Sequence, residues 1–249
     1  MRVIKAFKSL TKNYYSIMPT FLFVTIVTAV ISNIAPLIGP VILLPMTLST
    51  AYVMLKAITK STRFNESVLT IGFKPEFYIR NLFYLFIKQI AFLLPILLGV
   101  LVYTYVYRTV LSFELGYSII ITNVLVFAIP SAIISLMLSM VPYLLADPAF
   151  DQRKYNAFKV STLLMRGNYV RLTFMRLFFV PWFVWLTSGF VLSFASIYAL
   201  IFSGVATYPA ATITWLATLP LTLLLINPWY MMMHAELYVT LKQKIKDII

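Results

Sequence analysis

Six long apolar runs, joined alternately by nearly uncharged links and by strongly basic ones, constrain this chain more than any other feature. The runs are Ile17–Ala35, Leu37–Ala57, Leu82–Tyr107, Ser118–Ala146, Leu172–Ser203 and Ala210–Tyr238. Each approaches or exceeds the roughly 20 mostly apolar residues that a bilayer-crossing helix requires. The pattern predicts an all-α fold: a polytopic membrane helix bundle of about six transmembrane helices, forming a single integral membrane domain over residues 1–249. The last three runs exceed a bilayer's need, which predicts tilting, kinking or continuation into water.

The links set the orientation. Asn33 to Pro36 and Gly204 to Pro209 carry no charge, and Arg108 to Tyr117 carries one basic and one acidic residue. These three belong on one side. All but two of the 20 Lys and Arg residues, Lys88 and Arg108, fall at the N-terminus, in the other two links with Arg176 one turn beyond, or in the C-terminal tail. Positive charge is retained on the cytoplasmic side, so the expectation is a multi-pass protein of the cell membrane with both termini in the cytoplasm. The basic segment Met1 to Tyr15 ahead of an apolar run has the order of a signal peptide. A retained anchor fits better, because no small-x-small cleavage site follows the first run and a second run comes at once.

Composition agrees. The chain is 61% hydrophobic and 11% charged, with a mean hydropathy of +0.93. A soluble domain is nearer half apolar and a quarter charged. The net charge of +13 does not indicate nucleic acid, because every basic stretch flanks an apolar run. Anionic lipid headgroups are the expected partner. With no cysteine and one histidine, disulfides, thiolate sites and multi-histidine metal sites are excluded. No cofactor is expected.

The basic segments have helical periodicity. Val3, Phe7, Leu10 and Tyr14 share one helix face, and Arg2, Lys5, Lys8 and Lys12 the other. Such a helix lies flat in the headgroup zone. Phe150 to Arg166 reads as a second interfacial helix, with Phe150, Ala157, Phe158, Ser161 and Met165 on one side, Lys159 and Arg166 on the other, and Lys154 out of pattern. The expected anionic-lipid contacts are therefore Arg2, Lys5, Lys8, Lys12, Lys159 and Arg166. A weak internal repeat of three units, each an interfacial helix followed by a membrane hairpin, would connect these segments. In it Gly72 and Gly167 serve as left-handed helix caps. Pro45, Pro95, Pro130, Pro142, Pro181, Pro220 and Pro228 fall within runs and predict kinks. Asn227-Pro228 predicts a break in the sixth run. Asn33, Asn123 and Asn227 suit interhelical hydrogen bonds, and the four tryptophans suit interfacial belts.

Ionisable groups inside a membrane are the first candidates for function, because each costs at least about 2.5 kcal/mol to place there. Four qualify: Lys88, Arg176, His234 and Glu236. Lys88 and Arg176 can each snorkel to the cytoplasmic interface. Glu236 can instead pair with either of them. His234 and Glu236, two residues apart, point in different directions on a helix. Zincin, nucleophile-elbow and Walker patterns are missing, as are paired carboxylates within runs. The expectation is a protein that is not an enzyme.

Several segments together resemble a widespread family of uncharacterised bacterial integral membrane proteins. They are Gly72-Phe73-Lys74, Tyr143-Leu144-Leu145-Ala146-Asp147-Pro148, the helix Lys159-Val160-Ser161 through Leu164-Met165-Arg166-Gly167, and Asn227-Pro228-Trp229-Tyr230 through Ala235-Glu236-Leu237-Tyr238. The family is similar to the membrane domain fused to some glycerophosphodiester phosphodiesterases. The resemblance covers nearly the whole chain in order and implies a six-helix membrane domain with no established activity. The long aromatic fifth run departs from it.

The functional expectation is a non-catalytic integral membrane protein that binds lipids or a membrane protein or peptide partner, as a transporter accessory or an envelope-protective factor. The alternative is a small transporter or a lipid or peptide permease with a polar cavity between kinked helices. A cavity lined by Lys88, Arg176 or Glu236 favours that alternative, and a dry, tightly packed bundle opposes it.

Overall fold

The computed structural model describes residues 2–34, 44–60, 68–110, 116–185, 188, 189, 192, 218 and 220–245. All its regular elements are helical, with no strand among the described residues. Arg108, Asn33, Asn123 and Trp215, with the second half of the long fifth run apart from three residues and the start of the sixth, lie outside what is described at side-chain level.

The chain opens with helix α1 (Arg2–Lys12). Ala6 and Leu10 are fully buried, Val3 and Phe7 half-buried, and Lys8 and Lys12 exposed. The amphipathic face foreseen from the sequence is present, but it packs on protein. Asn13 turns the chain, its Nδ2 donating to the Ser9 carbonyl at 2.9 Å. Helix α2 (Tyr14–Ile34) follows, with Pro19 inside it and Ile17, Met18, Phe21 and Val24 facing inward.

Residues 37–43 of the second run lie outside the described residues. A 3-10 turn (Leu44–Met46) leads into α3 (Thr47–Thr59). Its 13 residues rise only about 20 Å, and every residue from Leu48 to Leu55 is buried. It is a core helix, and it ends at Lys60 in the left-handed region (φ 48°). Before the third run the described residues form a 3-10 stretch (Val68–Phe73), and residues 61–67, in the middle unit of the three-unit repeat, lie outside the described residues.

Helix α4 (Tyr78–Val110) is 33 residues long and continuous through Pro95. Ile79, Phe83, Phe86, Ile90, Leu94, Leu97 and Leu101 are all exposed along it. Their spacing of three and four residues makes one stripe, about 33 Å long at 1.5 Å per residue. The opposite side presents Asn81, Tyr84 and Leu85 to the interior, and Lys88 continues that face. Helix α4 packs along α5 (Gly116–Met137). The fourth run then breaks at residues 138–140 and resumes as α6 (Val141–Ala146). Pro142 sits in the first turn of α6, where its missing N–H leaves no bond unmade. One stretch among the described residues, Ile129–Ala146, is long and apolar enough to cross a bilayer, with a mean hydropathy of 1.9.

Helix α7 (Ala157–Met165) begins at Asn156, whose side chain accepts from the Phe158 and Lys159 amides. This cap starts the helix seven residues later than the expected Phe150 boundary, and it explains why Lys154 breaks the pattern: Lys154 precedes the helix. Ala157, Ser161 and Met165 are buried and Lys159 and Arg166 exposed, as expected. Phe158 packs edge-on against Tyr84, with ring centres 4.8 Å apart. Helix α8 (Tyr169–Leu177) follows. The sixth run is not broken at Asn227-Pro228. A π-helical turn (Thr222–Ile226) leads directly into α9 (Asn227–Ile245). Widening the turn before Pro228 lets the helix continue despite the missing donor.

The two glycines expected as left-handed caps separate. Gly167 follows α7 with φ +78°, as expected. Gly72 has a different reason: a Cβ there would sit 2.0 Å from the Pro45 carbonyl oxygen. We therefore expect Gly72→Ala to force backbone apart and lower stability by about 3 kcal/mol or more. Gly167→Ala, with open space around it, should cost only about 1–2 kcal/mol through its backbone conformation. Thermal unfolding of the two variants checks the ranking, and an unchanged midpoint for Gly72→Ala would refute the close approach.

Candidate functional site

Helix α9 is buried on nearly every side by Met232, Met233, Ala235, Leu237, Tyr238 and Leu241. It nonetheless carries His234 and Glu236, 4% and 3% exposed. Buried polar groups must find partners, and these two find them in opposite directions.

Glu236 turns toward α1. Its carboxylate accepts from Lys5 Nζ at 2.9 Å and from Ser9 Oγ at 2.6 Å. Neither Lys88 nor Arg176, the alternatives open from the sequence, is its partner: the partner comes from the N-terminal helix, whose Lys5 was assigned to lipid. The same junction holds Trp229, whose Nε1 donates to the Val3 carbonyl at 2.9 Å and whose ring lies 4.8 Å from that of Phe7. Trp229 is a packing anchor and not a free interfacial ring. Trp182 likewise donates, to Thr222 Oγ1 at 3.2 Å, while Trp185 is half exposed.

His234 turns the other way. Its Nδ1 lies 2.9 Å from the Tyr230 carbonyl, and its Nε2 lies 3.2 Å from Arg176 Nε. An Arg N–H can only donate, so Nε2 accepts and the ring proton sits on Nδ1, bonded to Tyr230. That tautomer makes His234 a neutral support for the guanidinium. Arg176 also donates to Ser135 Oγ at 2.9 Å and to the Ser135 carbonyl at 3.4 Å. These contacts fix the fork and leave N–H groups over.

What remains of the fork faces a half-open cavity of about 250 Å3 between α3, α4, α6, α8 and α9. Lys88, Gln89, Tyr143, Tyr230 and His234 line it with Arg176. Tyr143 is held by donating to the Met231 carbonyl at 2.8 Å. Lys88 has no hydrogen bond or ion pair among the described residues. Two cations and no carboxylate thus line one space. Of the four ionisable residues singled out in the sequence, three converge here and Glu236 does not. Sequence reasoning missed Ser135 and Tyr143, since a lone serine and a tyrosine on apolar runs carry no periodic signal.

The expected lipid contacts sort themselves by exposure. Lys8, Lys12, Lys159 and Arg166 are exposed, Lys5 is shared with Glu236, and the Arg2 side chain lies outside the described residues. A second buried carboxylate, missed in the sequence, joins the ends of two motifs. Asp147 accepts from Tyr238 at 2.8 Å and pairs with Lys242. No group of three or more metal-ligating side chains occurs among the described residues.

A family model described as a protein of unknown function, DUF975, matches residues 4–244. No curated protein and no solved structure matches the chain.

The α1 junction makes a direct prediction. Replacing Lys5 and Ser9 together by Ala leaves the Glu236 carboxylate buried without a partner, at a cost of about 1–3 kcal/mol or more. Limited trypsin digestion should then cut faster at Lys8 and Lys12, while Lys8→Ala alone should leave α1 protected. Equal cleavage in the double variant and the parent would mean that Glu236 does not hold α1.

Proposed function

The chain belongs to the DUF975 family of proteins of unknown function, and from that premise we propose a non-catalytic, multi-pass membrane protein that holds an anionic group in the cavity of Lys88, Arg176 and His234. The observation that carries this reading is the unbalanced charge of the cavity. Two fixed cations in a low-dielectric space repel each other, and an anion between them relieves both. Arg presents a planar fork suited to phosphate or carboxylate, and Lys adds a point charge.

The membrane part of the proposal rests on several features. The exposed stripe on α4 matches the roughly 30 Å hydrocarbon core in length. Exposed Phe23, Ile26 and Val30 on α2 and Val126, Ile129 and Ile133 on α5 repeat it. So much contiguous apolar surface on a soluble monomer would be an aggregation hazard, while lipid satisfies it. The charge alternation of the links then orients six crossings with both termini in the cytoplasm. Lys8, Lys12, Lys159 and Arg166 face the anionic headgroups there, and the membrane supplies the amphiphile.

Catalysis finds no support. His234 and Glu236 face opposite sides of α9, and among the described residues the cavity holds no nucleophile paired with a base. The half-open cavity between helices does favour the second reading, a permease for an anionic amphiphile or peptide, over a purely structural accessory.

In nanodiscs, the purified chain should enrich phosphatidylglycerol over phosphatidylcholine at a saturable site. Lys88→Gln and Arg176→Gln should each weaken that site about tenfold, and Lys12→Gln should not. Equal retention of both lipids by parent and variants would defeat the proposal. Flux of a labelled anionic lipid across proteoliposomes separates the permease from the binder. Tags on both termini should be reached only from the cytoplasmic side.

A further inference from the structure

Four hydroxyl-bearing residues line the cavity of Lys88 and Arg176: Thr47, Ser139, Tyr143 and Tyr230. A hydroxyl has one proton to give. Three of the four have given it to backbone carbonyls. Thr47 donates to Leu44 at 2.7 Å, Ser139 to Leu136 at 2.8 Å and Tyr143 to Met231 at 2.8 Å. The Tyr230 hydroxyl has no hydrogen-bond partner among the described residues.

That hydroxyl is open to an incoming group. Among the described residues, the side-chain polar atoms that are both sealed off and unpartnered are Ser49 Oγ, Asn81 Oδ1 and Gln152 Oε1. The unpartnered Tyr230 hydroxyl and Lys88 Nζ are therefore reachable. The Tyr230 hydroxyl interacts electrostatically with the Arg176 guanidinium and with the Tyr143 hydroxyl, which puts it on the cavity side of its ring. The ring is held in place. It stands edge-on to Phe179 and Phe183, with centres 5.4 and 5.6 Å away, and its centre lies 4.5 Å from that of His234.

Three inward donors therefore remain, each from a different helix: Lys88 from α4, the spare N–H groups of Arg176 from α8, and Tyr230 from α9. Gln89 also lines the cavity, but it is exposed and can bond to water. The lining carries two positive charges and no acid. A carboxylate or a phosphodiester brings one negative charge on two free oxygens. A phosphomonoester brings about −1.5 to −2 at pH 7, on three. Of these anions it alone balances both cations and offers each donor an oxygen of its own. Leu44, Leu85 and Met231 make the remaining wall apolar, which suits an esterified chain.

We propose that the cavity selects a phosphomonoester, with Lys88 and Arg176 balancing its two charges and the Tyr230 hydroxyl donating to its third oxygen. The phosphomonoester is either the headgroup of phosphatidate in the bilayer or a soluble alkyl phosphate of the cytoplasm. The proposal rests on the anion-binding reading of the same cavity, and adds to it the class of anion and the residue that sets the preference.

The test uses the full chain in phosphatidylcholine nanodiscs doped with phosphatidate or phosphatidylglycerol of the same acyl chains. The parent should retain phosphatidate about tenfold more tightly than phosphatidylglycerol. Tyr230→Phe should lose that tenfold and hold phosphatidylglycerol as the parent does. It changes no charge, so general attraction of the basic surface cannot produce the loss, and unchanged phosphatidylglycerol retention shows an intact fold. Glycerol 3-phosphate in excess separates the sources: displacement of phosphatidate assigns the soluble phosphomonoester, and persistence assigns the lipid. Equal retention of the two lipids by the parent, or full retention of phosphatidate by Tyr230→Phe, overturns the proposal. In either case, enrichment of phosphatidylglycerol over phosphatidylcholine leaves the anion-binding reading standing, whereas enrichment of neither anionic lipid removes both. If Tyr230→Phe fails to fold, the ratio of the two lipids on the parent chain still decides it.

Discussion

The structure depends on the burial of α9. A helix enclosed on nearly all sides can carry a charged or polar group only where another element brings its complement. Glu236 requires Lys5 and Ser9, which docks α1. His234 requires the Arg176 fork on one ring nitrogen and the Tyr230 carbonyl on the other, which docks α8. Tyr238 requires Asp147, which ties down the loop after α6. Three separate parts of the chain are thus placed by three consecutive even-numbered residues on one helix. Each contact is local, but together they decide which faces of α1, α6 and α8 point inward.

Much of this was legible in the sequence, and the limits are instructive. The all-helical class followed from the length of the apolar runs. The amphipathic face of α1 followed from its three-and-four spacing. Hydrophobic periodicity, however, reports only that a face is buried, not what covers it. The face of α1 was therefore assigned to lipid when it packs against Trp229 and its neighbours. The same limit left the partner of Glu236 unidentified. Only cations within the apolar runs, Lys88 and Arg176, were weighed as its partners, and Lys5 lies more than two hundred residues away. The second run shows a related limit. Hydropathy does not report what covers a helix, and Leu48 to Leu55 of α3 are buried by the chain's own elements.

The motifs that carried the family resemblance acquire reasons in the structure. Gly72 is required because the backbone of Pro45 passes against it. Tyr143 and Asp147, four residues apart, reach α9 at Met231 and Tyr238. Ser161 donates to the Met137 carbonyl at 2.7 Å, and Gly167 closes α7 with a left-handed turn. These are mostly devices for joining helices, so the resemblance conveyed the fold more than the chemistry. The residues lining the cation cavity fall mostly outside those motifs, and a comparison of motifs alone would overlook Lys88, Arg176 and Ser135.

The cavity is also costly to build. Replacing Lys88 by Leu would remove a cation that has no hydrogen bond or ion pair among the described residues, and a charge without a partner is among the more expensive things to bury. Snorkelling relieves a cation near a helix end only if its head reaches water or headgroups, and the half-buried Lys88 lines the same cavity as Tyr143. Arg176 is relieved differently: neutral acceptors on Ser135 and His234 satisfy some of its N–H groups without cancelling its charge. A network meant only to neutralise Arg176 would place a carboxylate there, as the chain does for Lys5 and Lys242. The use of neutral supports at this one site, against acids at the other two, leaves a positive charge that is oriented and still available to an incoming anion.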